Sequence, residues 1–172
     1  MKKLHILYGL LLIAILSSCS SLRTAYDYDK DVDFTKYQTF AFYKEGMDQL
    51  KLNDIDKKRF VEAITADLQS KGFESNVADP DLLVNVVVTG KDKVSVTDDY
   101  PFSYGWWYPS PTLTMRQYTE STIYIDLIDK DSNQLVWQGK GTDEFNASEK
   151  DRDTRVKETV TRILEQYPYG RK

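Results

Sequence analysis

Leu113 to Trp137 reads LTMRQYTESTIYIDLIDKDSNQLVW, and the choice of fold turns on it. Ile123, Ile125 and Leu127 alternate with Tyr124 and Asp126, so an extended strand here has one apolar and one polar side. Asp129-Lys130-Asp131-Ser132-Asn133 is a run of turn formers. Leu135 and Trp137 then resume the alternation, which predicts an antiparallel partner with both side chains in the core. Upstream, Leu82 to Val96 (LLVNVVVTGKDKVSV) is rich in β-branched residues and predicts a strand, with Gly90 placed for a bulge. Thr24–Asp29 (TAYDYD) and Thr39–Tyr43 (TFAFY) read as shorter strands, and Phe34 and Tyr37 plug the turn between them.

Two helices complete the pattern. Asn53 or Asp54 can cap the first, in which Phe60, Val61, Ile64 and Leu68 form one stripe. Gly72 falls at the left-handed position after its end, where Phe73 would meet Leu68. The second opens on Ser148-x-x-Asp151, a capping box, carries Val156, Val160, Ile163, Leu164 and Tyr167 on one side, and is ended by Pro168. Antiparallel strands with two such helices predict an α+β two-layer sandwich, a largely antiparallel sheet with two amphipathic helices on one face.

The chain has 172 residues, enough for one domain, with 29% charged and 41% apolar residues in an ordinary globular balance. Lys2 and Lys3 precede Ile6–Leu16 (ILYGLLLIAIL), an apolar run spanning about 16 Å as a helix, half of a hydrocarbon core. That is the form of a secretory signal rather than of a spanning helix. Leu16-Ser17-Ser18-Cys19 follows, the lipobox arrangement. Small residues let the backbone enter a peptidase cleft, and the Cys19 thiol is the nucleophile that accepts diacylglycerol. The expected organisation is therefore a signal peptide at 1–18, a lipidated tether at 19–23 and a single α+β domain at 24–172. A covalent N-acyl/S-diacylglycerol lipid on Cys19 anchors it, since each buried CH₂ contributes about 0.8 kcal/mol. No other cofactor and no metal is expected. Ser20 after the cysteine, where an inner-membrane protein would carry Asp, points to the outer membrane of the cell envelope, on either its periplasmic or its surface face.

Cleavage removes Lys2 and Lys3 and no acid, taking the formal charge from −4 to −6. That excess argues against nucleic acid as a partner, because phosphate binding runs on Lys and Arg. His5, the single histidine, leaves with the signal, and the single cysteine is the lipid site. The processed chain thus lacks an imidazole and a free thiol, the commonest groups for general-base and nucleophilic work near neutral pH.

Three constellations bear on chemistry. Tyr100–Tyr108 (YPFSYGWWY) packs Tyr100, Phe102, Tyr104, Trp106, Trp107 and Tyr108 into nine residues. Such rings form a contact platform for an envelope protein, a glycan or lipid headgroups, or they fold back over the uncovered face of the sheet. Asp129-x-Asp131-x-Asn133 copies the start of a calcium loop, but Gln134 and Lys140 stand where that loop needs Gly and Glu, so a hairpin turn is expected. Asp98/Asp99 and Asp143/Glu144 are adjacent acids expected on solvated turns. A carboxylate-dependent hydrolase using them is the remote alternative.

Asp33-Phe34-Thr35-Lys36-Tyr37-Gln38-Thr39-Phe40-Ala41-Phe42 resembles the opening "DFxxYxTFAF" signature of a bacterial lipoprotein family, domain of unknown function 4136. Lys71-Gly72-Phe73, Pro80-Asp81-Leu82-Leu83-Val84, Leu135-Val136-Trp137-Gln138-Gly139 and Tyr167-Pro168 are similar to its later blocks, so the resemblance runs along the whole processed chain. It implies a signal peptide, a lipid anchor and a two-layer α/β domain, with no established activity and no catalytic residues. Many relatives have Glu-Gly where this chain has Glu120-Ser121. The leading expectation is a non-enzymatic binding or scaffolding lipoprotein; the alternative is a small-ligand or glycan binder using the aromatic segment. Replacing the lipid acceptor tests the anchor: Cys19→Ala should move the protein to the soluble fraction or leave the precursor uncut, and membrane retention like that of the wild type would refute it.

Overall fold

Side-chain alternation assembles four of the strands into one antiparallel run. In the computed structural model, which describes residues 22–99, 112–144 and 151–169 (backbone alone at 91–99, 112–119 and 144), the strands are β1 (Arg23–Tyr28), β2 (Thr39–Phe42), β3 (Glu74–Ser75), β4 (Leu82–Asp99), β5 (Thr112–Asp129) and β6 (Gln134–Glu144). They form one sheet in the order β1-β6-β5-β4-β2-β3. β1, β6, β5 and β4 are antiparallel neighbours, while β2 joins β4, and β3 joins β2, in parallel. The helices are α1 (Lys44–Gln49), α2 (Asp54–Ser70) and α3 (Arg152–Leu164). The expected α+β sandwich is present, with α2 and α3 together on one face.

Val84, Val86, Ile123, Ile125, Leu127 and Trp137 point to that face and are all at most 1% exposed. Against them α2 sets Phe60, Ile64 and Leu68, and α3 sets Val156, Val160, Ile163 and Leu164. Each of these side chains contributes about 1.5–3 kcal/mol when removed from water. Val61 is only half-buried, and Ala63 takes its place in the stripe. Tyr167 stands edge-on to Phe34, Phe73 and Trp137 at centroid distances of 5.4, 5.8 and 5.7 Å, so aromatic rings close the core beyond the end of α3. Burial pushes the Tyr167 and Tyr169 phenols above their ordinary range.

The helix ends follow local chemistry. Asn53 Oδ1 accepts from the Asp56 backbone N–H at 2.8 Å, capping α2. At the other end Gly72 has φ 93°, the Gly72 N–H donates to Gln69 O, and the Phe73 N–H donates to Leu68 O at 3.1 Å. This is the Schellman ending expected from Lys71-Gly72-Phe73. α3 begins later than the capping box implies, at Arg152, and Asp151 makes no side-chain cap bond. Ser148 lies outside the described residues. α3 stops at Leu164, with a turn before Tyr167, so Pro168 is not what ends it.

Three expectations are corrected in the sheet. Gly90 pairs with Ser121 in an unbroken β4–β5 register, so it is not a bulge. The irregularity lies between β5 and β6, where Leu127 faces Trp137 but Ile128 faces Leu135. The extra residue, Val136, turns inward beside Trp137, and Leu135 is left 50% exposed instead of joining the core. Asp98 and Asp99 end a strand rather than occupying a turn, and Asp143, on β6, is buried and paired with Arg155 at 3.3 Å.

Glycine decides how closely α3 approaches. A Cβ on Gly141 would lie 2.7 Å from Ile163 Cδ1, and one on Gly139 would strike both Ile163 and Trp137. Elsewhere Asp129, 6% exposed, accepts from the Tyr37 hydroxyl at 2.7 Å and from Lys36 Nζ at 2.8 Å. Its second oxygen accepts from the backbone N–H groups of Asp131 and Ser132. Burial alone would raise the Asp129 carboxyl, but the Lys36 ammonium and these donors outweigh it and hold the group well below its ordinary value. The neighbouring Asp81 is also lowered, with burial opposed by the backbone N–H groups of Gln38 and Thr39.

Two outcomes are expected. Gly141→Ala should lower stability by about 1–3 kcal/mol through overpacking, and Gly72→Ala by about 1 kcal/mol through its left-handed backbone, both read from urea midpoints. Because Asp129 is depressed in the folded state, its contribution is full above the unfolded value near 4 and drains away as pH falls below it. Asp129→Asn should therefore flatten the acid limb of the stability curve and cost on the order of 2 kcal/mol at neutral pH; an acid limb as steep as the wild type's would assign that limb to other carboxyls.

Candidate functional site

Cys19 and the six rings of Tyr100, Phe102, Tyr104, Trp106, Trp107 and Tyr108 lie outside the described residues. The strands that lead to them are described. Leu22 is buried and β1 opens at Arg23, so only Ser20 and Ser21 separate the cysteine from packed structure. β1 thus takes in Arg23, the last residue of the expected tether. At the other segment, β4 ends at Asp99 and β5 begins at Thr112.

β4 and β5 outrun their neighbours. β2 pairs with β4 only at Leu82–Val84, and β6 leaves β5 at Glu120. From Asp92↔Thr119 to Asp99↔Thr112 the two strands pair with each other alone among the described residues. This arm is about 26 Å long at roughly 3.3 Å per residue. A free two-stranded ladder is marginal in water.

Two clefts sit at the root of the arm, one on each face of the sheet. The register sets Arg23, Thr142, Thr122 and Thr89 in one row across four strands. This row, with Glu120, Tyr124 and Lys140, lines an open-face cleft of about 410 Å³. The Thr122 and Thr142 hydroxyls are 3.2 Å apart, and Lys140 Nζ stands 5.7 Å from the centre of the Tyr124 ring. In a row farther from the arm, Asp126 accepts from Gln138 Nε2 at 2.7 Å and from Asn85 Nδ2 at 3.2 Å. The helix-face cleft, about 240 Å³, is apolar, with Leu52, Phe60, Val88, Ile123 and Val156 as walls. Asp56 and Arg152 border it. Asp56 accepts from Arg59 Nη1 at 2.8 Å and Arg152 Nη1 at 3.2 Å, and Arg59 Nε also bonds Asp153, so these charges tie α2 to α3.

Each of these two clefts has one carboxylate in its lining, Glu120 or Asp56, so neither offers the facing pair that acid/base hydrolysis by two carboxylates needs. Among the described residues no group of three or more His, Cys, Asp or Glu side chains is arranged to hold a metal. Asp129, the first residue of the calcium-like run, spends its oxygens on Lys36, Tyr37 and its own turn. Neither cleft was foreseen from the sequence, because each draws residues from strands or helices far apart in the chain.

No curated protein matches the chain by sequence. Among solved structures it is similar to a PDZ domain protein from Parabacteroides distasonis ATCC 8503, at 21% identity and a TM-score of 0.56. That match covers 86% of this chain and 36% of the other, so the chain spans about a third of that protein and the likeness is one of fold. A PelC dodecamer subunit from Paraburkholderia phytofirmans is similar at 10% identity and a TM-score of 0.46, with 83% of this chain and 94% of the other covered. The family model described as Domain of unknown function (DUF4136) matches residues 24–169. With almost all of the chain beyond the N-terminal segment matched, this protein belongs to the DUF4136 family.

Proposed function

We propose that this protein is a lipid-anchored envelope component that binds or scaffolds other envelope proteins and carries out no catalysis. The β4–β5 arm is the observation that carries this reading. Among the described residues this hairpin extends past every neighbouring strand, and its two strands are joined by the residues richest in aromatic side chains. Tyr and Trp supply large contact area with little rotamer loss, the property of interface hot spots. The anchor rests on the Leu16-Ser17-Ser18-Cys19 pattern and on the short link from Cys19 to buried Leu22. The assignment to the outer membrane rests on Ser20. The non-catalytic reading is supported by the pairing of buried Asp56, Asp67, Asp129 and Asp143 with Arg59, Lys71, Lys36 and Arg155, which gives each a structural duty.

A second reading, a small polar ligand or glycan, is favoured by the threonine row and the Tyr124 ring of the open-face cleft. Cross-linking the lipoprotein in its own membrane separates the two. The wild type should capture a protein partner, and the Trp106→Ser/Trp107→Ser variant should lose it while keeping its membrane localisation and its urea midpoint. Unchanged capture by that variant, with reduced stability, would make the rings part of the fold and end the interface reading.

A further inference from the structure

We propose that the open face of the sheet, at the root of the arm and along it, binds an acidic glycan, a sugar chain that bears carboxylates. This rests on the polar-ligand reading of the open-face cleft and names its ligand class; the protein-binding reading of the arm's far end is independent of it. Same-face positions along a strand are two residues apart, about 6.6 Å at roughly 3.3 Å per residue. From the row of Tyr124 toward the arm, five successive open-face rows each hold a base. Lys140 stands opposite Tyr124, and Arg23 shares the row of Thr142, Thr122 and Thr89. The register then sets Lys91 opposite Glu120, Lys93 opposite Tyr118 and Arg116 opposite Ser95. The row of Lys140 and that of Arg116 are about 26 Å apart along β5. Glu120 and Glu144 are the acids in these rows, which leaves a surplus of three positive charges on a chain whose formal charge is −4. Asp27 and Asp126 close the stretch at one end, and Asp99 lies at the other, where the arm ends.

Charge alone fits any polyanion, and the cleft narrows the class. Its floor is the hydroxyl row. Thr122 and Thr142 lie 3.2 Å apart, one donating to the other, so one hydroxyl proton and free lone pairs remain for a ligand. Thr89 and Arg23 flank them, and both are exposed. Lys140 Nζ rests 5.7 Å from the centre of the Tyr124 ring, and neither Lys140 nor Arg23 has a carboxylate in ion-pair contact. Lys36, Arg59, Lys71 and Arg155, by contrast, spend their charges on buried acids. A guanidinium takes a carboxylate through parallel N–H bonds, and a hydroxyl exchanges hydrogen bonds with another hydroxyl. Acidic sugars carry both groups on one chain. An acidic peptide brings the charge without a run of hydroxyls, and a flat bilayer cannot reach the floor of a hollow of about 410 Å³. An extended sugar chain can lie in the hollow and continue along the arm.

The test is a calorimetric titration of the purified protein, held in a neutral detergent, with three probes. These are a short oligogalacturonate, its methyl ester, and polyglutamate of matched charge. The oligogalacturonate should bind at least about tenfold tighter than either of the others, and more weakly as salt is raised. Arg23→Gln/Lys140→Gln and Lys93→Gln/Arg116→Gln should each weaken it several-fold with the urea midpoint unchanged. Lys157→Gln, on the exposed surface of α3, should leave it as it is. Equal binding of acid and ester overturns the acidic class, and its loss in Thr122→Val then keeps the polar-ligand cleft standing. No binding of either sugar by folded wild type overturns the proposal and the polar-ligand reading together. Polyglutamate bound as tightly as the sugar, or phosphatidylglycerol vesicles displacing it, overturns the glycan in favour of an acidic peptide or of lipid headgroups. Binding that ignores both double substitutions lies elsewhere and overturns the site. Wild-type binding insensitive to salt overturns it too, whatever the variants do.

Discussion

Everything in the two-layer arrangement depends on the contact between Ile163 of α3 and the bare backbone of β6 at Gly139 and Gly141. A side chain at either position would hold the helix off the sheet, and the layer behind it would open. With α3 seated, Val160 and Leu164 reach the apolar row formed by Ile123, Ile125 and Leu127. Tyr167 then falls among Phe34, Phe73 and Trp137, joining the turn before β2, the end of α2 and strand β6 in one ring cluster. Protein interiors pack near crystal density, so such a contact has one workable spacing rather than a range.

Charge does comparable work at the periphery of that core. Asp129 gathers Lys36, Tyr37 and its own hairpin turn, while Asp56 gathers an arginine from each of two helices. Neither acid is exposed enough to be a solvated ion, and each joins segments that hydrophobic packing alone would leave free to slide. Removing one partner from such a cluster costs more than the cluster contributes in net terms, because the remaining charge stays desolvated.

The sequence was most legible where structure is local. Phe60, Ile64 and Leu68 of the first stripe, the Asn53 cap and the Gly72 ending depend on neighbours a few residues apart, and each was found where the pattern placed it. The misplaced ends of α3 and the swap of Val61 for Ala63 are local errors, while in the sheet the errors at Leu135 and Asp143 lie where the deciding partner is distant. Leu135 and Val136 exchange roles because of a mismatch against Leu127 and Ile128 across the hairpin, which alternation within one strand cannot reveal. Asp143 looked like a solvated acid because Arg155, which neutralises it, belongs to another element. Of the candidate site, Cys19 and the aromatic segment were visible as sequence. The threonine row was not, since Arg23, Thr89, Thr122 and Thr142 become neighbours only through the register of four strands.

The pairing of β1 with β6 has a consequence for how the protein is made. Arg23 lies opposite Thr142, so β1 must wait until β2, β3, β4 and β5 have been made before its partner β6 arrives. Contacts between such distant segments close late and slow folding. During that interval Tyr26 and Tyr28 have no sheet to lean on, and the residues between Arg23 and β6 are open to proteases and to wrong pairings. Synthesis and folding of this chain are thus out of step at β1, whose pairing waits on the last strand of the sheet to be made.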